Sequence, residues 1–190
     1  MSFVSVIATK KFITVMSDGL AINTETGEEI DQRYKKFHRI SKKQFIAFAG
    51  NSGLAEEAVR IVGYNNEERD LASIAVSIRE QLIKKVPPNI ASCQLILGGL
   101  EKRKFVIYSF NNDPNRELLF QEPIGDDPVY SFLSDSSNGL NLDKEINKIY
   151  PKYGFNTPTK TLKIQKELNN VVADVDPSVN KITFNLTIRK

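Results

Sequence analysis

Residues 1–19 read MSFVSVIATKKFITVMSDG. Two runs rich in β-branched and aromatic residues, FVSVIAT and FITVMS, flank the polar pair Lys10-Lys11. That is the pattern of two strands joined by a turn. The apolar residues do not alternate strictly. In an extended chain Phe3 and Ile7 point to one face, and Val4 and Val6 to the other. The hairpin is therefore predicted to be buried on both faces, as in a sheet held between layers.

Ser2 stands directly before this hairpin. A small residue after the start methionine is common and needs no function. Removal of Met1, expected before a residue as small as serine, would nevertheless leave a free α-amine and a hydroxyl on one residue. That pair is a nucleophile and a base. An α-amine titrates near 7.7–8.0, so part of it is neutral at physiological pH and can take the hydroxyl proton.

Outward from the hairpin, Asp18-Gly19 ends the second strand and INTETGEE reads as a turn or loop. YKKFHRI and QFIAFAG are two further strands joined by SKK. The period then changes. SGLAEEAVRIV and ERDLASIAVSIREQLIKKV carry apolar residues at helical spacing, with Ser52 as a candidate N-cap and Pro87-Pro88 as a stop. SCQLILGG and KFVIYSF follow as strands, with ELLFQEP as a candidate third and PVYSFL as a short apolar segment. SDSSNG is a loop, LDKEINKIY and KTLKIQKELNNVVADV are helices, and ITFNLTI is a closing strand. Strands, a helix pair, strands, a helix pair and a strand make an α+β pattern rather than a regular parallel βαβ succession. Two stacked sheets flanked by helix pairs, a four-layer αββα sandwich, accommodate it. No linker marks a boundary, so residues 1–190 are expected to form one domain.

Composition narrows the function classes. Hydrophobic residues at 41% and charged residues at 26% are ordinary for a globular chain, which argues against disorder. A net charge of +3 with basic residues spread along the chain gives no nucleic-acid footprint. No apolar run reaches a membrane span, and the start lacks the features of a signal peptide. The single cysteine, Cys93, excludes an internal disulfide. A cytoplasmic location is expected.

On these residues the chain resembles the proteasome β-subunits and the bacterial proteasome-like proteases among the N-terminal nucleophile hydrolases. The resemblance rests on the N-terminal hydroxyl residue, the Asp that closes the second strand, the Lys-Lys-apolar motif in YKKF, and SCQLILGGLEKRKFVIYSF as a central strand pair. It implies that Ser2 takes the place of the catalytic N-terminal threonine, and that Asp18 and Lys36 take the places of the supporting acid and lysine. FAGNSG falls where the family places the backbone N–H that holds the oxyanion, with Ala47 and Phe48 as candidates. SDSSNG offers Ser134 or Ser136 as a supporting serine, and VADVDPSVN offers Asp174 or Asp176 with Ser178. The implied substrate is a peptide or other amide. Self-assembly into a homo-oligomer is implied, and an ATP-dependent unfoldase is left open as a partner. No metal or cofactor is called for.

The chemistry of the three residues agrees. A cation such as Lys36 favours the neutral amine and steadies negative charge growing on the hydroxyl. A carboxylate such as Asp18 holds that lysine in place. The departures from the family pattern are specific. Glycine is missing after the I-A pair of FIAFAG, where Phe48 would crowd a cleft. A second register would set Met1 at the nucleophile position and leave a dead, scaffold-like member of the fold. The hairpin length from Ser2 to Asp18 favours the active register.

Other residues read as structural. His38 is expected to be a partly exposed strand residue, and Cys93 a small buried one. Gly50 and Gly53 precede no P-loop lysine, Asp126-Asp127 lacks calcium-loop spacing, and Lys42-Lys43 and Lys84-Lys85 read as solvated faces.

Overall fold

The computed structural model describes residues 2–23, 26–134 and 139–190. Strands β1 (Val4–Ala8) and β2 (Phe12–Asp18) form the expected antiparallel hairpin, with Val4 opposite Ser17 and Val6 opposite Val15. The Thr9 hydroxyl accepts the N–H groups of Lys11 and Phe12, which fixes the turn around the two lysines. Strand β10 (Val129–Leu133) adds to β1 and strand β11 (Thr183–Arg189) adds to β2, giving a sheet ordered β10-β1-β2-β11. A second sheet is ordered β5 (Phe37–Arg39), β6 (Gln44–Gly50), β7 (Cys93–Glu101), β8 (Lys104–Asn111) and β9 (Leu119–Gln121).

The two faces of the first hairpin meet different neighbours. Val4, Val6, Ile13 and Val15 pack with Phe45, Ala47, Ile96 and Ile107 of the five-stranded sheet. Phe3 and Ile7 pack instead with helices α3 (Leu142–Tyr153) and α4 (Pro158–Ala173), through Ile146, Ile149, Ile164 and Leu168. The five-stranded sheet behaves alike. Ile46, Leu95 and Leu97 turn away from the first sheet and pack on α1 (Ser52–Val62) and α2 (Leu71–Lys85). Each buried side chain of 100 Å² or so contributes roughly 2–3 kcal/mol to such cores.

The paired glycines of LILGGLE are required where the sheets come together. A Cβ on Gly98 would lie 2.7 Å from Cζ of Phe45 and 3.3 Å from Cδ1 of Ile13, between the sheets. Gly99 adopts φ 141° with the Lys43 carbonyl 2.2 Å from where its Cβ would sit.

The INTETGEE connection joins two short strands, β3 (Ala21–Ile22) and β4 (Glu29–Asp31), paired as a hairpin with the Asn23 N–H on the Glu28 carbonyl. Two local expectations are corrected. The N-cap of α1 is Asn51 rather than Ser52, its side chain accepting the Leu54 N–H at 3.0 Å. Helix α3 runs through Pro151 to Tyr153, because a proline in the last turn removes only one bond and Gly154 caps the end. The result is an α+β fold. Among the described residues no helix is long and apolar enough to cross a membrane, and no group of three or more His, Cys, Asp and Glu residues could hold a metal ion.

Candidate active site

The site lies where β1 begins and β2 ends. Asp18 closes β2 and is fully buried. Its Oδ1 accepts the Phe3 N–H at 2.8 Å, and its Oδ2 accepts the Leu20 N–H at 2.9 Å. The backbone pairs as well, the Asp18 N–H donating to the Phe3 carbonyl at 3.0 Å. One carboxylate thus fixes the residue that follows Ser2 and the chain that leaves β2.

Lys36 reaches the same carboxylate. Its Nζ lies 2.7 Å from Asp18 Oδ2 and donates at 2.7 Å to the Leu20 carbonyl. A third, longer contact of 3.3 Å goes to the Asp18 carbonyl. Two of the three ammonium protons are therefore strongly held, and the third has only a weak acceptor. The side chain is 3% exposed. Burial pulls the Lys36 pKa below its ordinary value, and the Asp18 charge and hydrogen bond offset part of that shift.

Ser2 is 8% exposed and is joined directly to the Phe3 amide that Asp18 holds. Ser2 thus directly precedes the amide anchored on the Asp18–Lys36 pair. Met1 itself lies outside the described residues.

The expected oxyanion donors are corrected. The Phe48 N–H donates to the Lys36 carbonyl at 3.0 Å, and strand alternation turns the Ala47 N–H toward β7, opposite Ile96. Both donors serve the sheet because β6 is an inner strand. By the same alternation the next N–H on the Lys36 side belongs to Gly50, past the end of β5, where φ is +98°. The bonds from Asn51 N–H to Ser92 and from Cys93 N–H to Asn112 Oδ1 fit that register. The Phe48 ring does not enter the space between the sheets. It packs among the α1 and α2 residues, 6.2 Å from the Tyr34 ring and 6.0 Å from that of His38.

The supporting candidates separate. Asp176 and Ser178 come together, Asp176 Oδ1 accepting the Ser178 N–H at 2.9 Å and its hydroxyl at 2.5 Å. Asp174 is exposed and pairs with Lys181 at 2.5 Å. Ser134 follows Leu133, which lies opposite Val4, so it stands at the Ser2 end of β1. Ser136 falls outside the described residues.

One further group escaped the sequence reading. The Asn180 Oδ1 accepts the Gly19 N–H at 2.9 Å, its amide donates to the Gln32 carbonyl at 3.1 Å, and its carbonyl accepts from Asn169 Nδ2 at 2.9 Å. This ties the segment after α4 to the peptide between Asp18 and Leu20, the two residues that hold Lys36. The segment VADVDPSVN ended in this residue, but an asparagine beyond a helix gives no sign of so distant a partner.

No family model matches the chain, and no curated protein matches it. Among solved structures it is similar to eukaryotic HslV from Trypanosoma brucei, with a TM-score of 0.68 over 99% of each chain at 15% identity. The likeness defines the class of fold, which is proteasome-like.

Proposed function

We propose that the protein is an N-terminal nucleophile amidohydrolase acting on peptides or related amides, with Ser2 exposed by removal of Met1. The observation that carries this reading is the buried Asp18 carboxylate, which holds both the Phe3 amide and the Lys36 ammonium. In the proposed cycle the Ser2 hydroxyl attacks the amide carbonyl and its proton passes to the Ser2 α-amine. The tetrahedral oxyanion accepts the Gly50 N–H, a donor of a kind worth roughly 3–4 kcal/mol of barrier. Lys36 steadies the charge on the attacking oxygen. The protonated amine then delivers its proton to the leaving nitrogen, leaving an acyl-enzyme on Ser2 that water hydrolyses. Asp18 orients Lys36, and Ser134, Asp176 and Ser178 support the site.

The finer structural readings belong to the same proposal. Residues 1–190 form one domain, and the three apolar clusters support a four-layer αββα order. A homo-oligomer in the cytoplasm, served by an ATP-dependent unfoldase, suits a proteasome-like protease. Intact mass before and after treatment with a peptide electrophile selective for N-terminal nucleophiles tests the reading. Loss of Met1 with one adduct on Ser2, abolished in Ser2→Ala, is the expected result. Retained Met1, or no adduct on a processed chain, overturns it in favour of an inactive scaffold.

A further inference from the structure

The far end of the strands carries a different feature. Phe12 begins β2 and Asp18 ends it, a span of about 20 Å at strand rise. At the Phe12 end, a groove of about 440 Å³ is walled by the cationic residues Arg39, Lys42, Lys43 and Arg189 and by Thr159 and Thr187. Its apolar wall is Pro158, Leu162 and Ile188, and among the described residues no acidic one lines it.

The fold brings these cations together from segments distant in sequence. Arg39 ends β5, Lys42 and Lys43 form the turn into β6, and Arg189 ends β11. The turn is held by its own bonds. The Arg39 guanidinium donates to the Lys42 carbonyl at 2.7 Å, and the Lys43 ammonium donates to the Arg189 carbonyl. The neighbouring β1–β2 turn adds Lys10 and Lys11, joined to this end by the Lys190 N–H on the Lys11 carbonyl. Among the described residues none of the four groove cations has a carboxylate partner, and the Thr159 and Thr187 hydroxyls have no protein hydrogen bond. Thr159 also sits in the first turn of α4, where Pro158 has no N–H and Thr157 already takes the N–H groups of Lys160 and Thr161, so only the Thr159 amide stands open toward a ligand.

Like charges gathered without counter-charges repel one another in the folded state. Arg39, Lys42 and Arg189 are exposed and Lys43 is half-buried, and all four line one concavity within the size range of small-molecule sites. A guanidinium fork, ammonium groups and hydroxyls are the donors that recognise phosphoryl oxygens.

We infer that this groove binds a condensed phosphate anion, inorganic diphosphate or the diphosphate portion of a larger molecule, between Arg39, Lys42, Lys43 and Arg189. The site stands apart from the proposed hydrolytic centre and does not depend on it.

Titration calorimetry of the full chain with sodium diphosphate at constant ionic strength tests the inference. The expected result is a saturable isotherm with one site and a dissociation constant below about 1 mM. Lys42→Gln and Arg189→Gln each weaken it by about fivefold or more, while Lys84→Gln, which removes an exposed charge on α2, leaves it unchanged. The amide resonances of Thr159 and Thr187 shift on titration. A larger molecule as the natural source is marked by a nucleoside diphosphate or polyphosphate binding more tightly than free diphosphate at the same residues. Non-saturating heats overturn the site. So do equal losses from all three variants, or an oligonucleotide that binds without regard to them, since each marks a diffuse field. If a groove variant fails to fold, the wild-type isotherm and the location of its amide shifts decide alone.

Discussion

Asp18 and Lys36 form an ion pair 2.7 Å apart in which neither side chain meets solvent beyond 3%. Such a pair is costly to break by halves, because the partner left behind is a buried charge. Asp18→Asn is expected to lower unfolding free energy by about 3–5 kcal/mol. Lys36→Met should cost less, since the Phe3 and Leu20 N–H groups still serve the Asp18 carboxylate. The double variant should be more stable than the sum of the two losses allows. Urea unfolding of the four proteins measures this, and strict additivity would show that the pair carries no coupling.

The same pair shapes the pH dependence of the proposed reaction. Activity should rise as the Ser2 α-amine loses its proton, with an apparent pKa below the ordinary α-amine value of about 7.7–8.0 because the Lys36 cation favours the neutral form. It should fall again when Lys36 deprotonates, below the ordinary lysine value of 10.5 because burial lowers its pKa. Stability moves the other way. Between the folded and unfolded pKa values of Lys36 the unfolded chain binds more protons, so this group's contribution to stability increases with pH. An alkaline loss of Ser2 acylation without a matching loss of fold, followed by circular dichroism, is the expected signature. Loss of both together would assign the limb to denaturation.

Cys93 gives a check on the core. Burial pushes its thiol up to about 12, and the residue packs with Leu54, Ile78 and Leu95. Folded protein should therefore resist thiol reagents at pH 8, and labelling should track unfolding in denaturant. Rapid labelling of the native chain would place Cys93 at an open surface.

The hairpin was legible because Phe3 and Val4 had to face opposite sides, and each found its own apolar cluster. Helical spacing likewise located α2, whose buried Leu71, Ala75, Ile78 and Leu82 follow one face. Asp18 and Lys36 were legible as chemistry, but their meeting depends on a chain path through β3 and β4 that local pattern does not encode. That the Phe48 N–H is engaged was hidden for a related reason. Which N–H of β6 is left unpaired depends on where β5 stops, and its three residues of pairing end at Phe37. Lys42 and Lys43 read as solvent-facing, and Lys42 is exposed and Lys43 half-buried, but nothing near them in sequence names Arg189 or α4 as neighbours.

Gly98 tests how closely the sheets are packed. Gly98→Ala would drive a methyl to within 2.7 Å of the Phe45 ring and 3.3 Å of Ile13. Phe45 is fully buried and cannot swing out. A loss of about 1–3 kcal/mol is expected in chemical denaturation, with Phe45→Leu restoring part of it in the double variant. No recovery would mean that the methyl strains the β7 backbone instead.

Asn180 separates holding the fold from positioning the lysine. It accepts the Gly19 N–H and donates to the Gln32 carbonyl, so Asn180→Ala leaves both unmatched and should cost about 1–3 kcal/mol. Gly19 lies between the two residues whose oxygens bind Lys36. A small shift there moves the ammonium relative to Ser2, and displacements of this kind cost up to about 100-fold in rate. Asn180→Asp retains an acceptor for Gly19 but loses the donor to Gln32. It should therefore share much of the stability loss while keeping most of the acylation rate. The measurement is the rate of Ser2 adduct formation over a range of electrophile concentrations, beside unfolding of the same variants. A slower maximal rate in Asn180→Ala, with half-saturation unchanged and with recovery in Asn180→Asp, identifies Asn180 as a positioning residue. Equal acylation in all three proteins would confine it to holding the segment after α4 against β2.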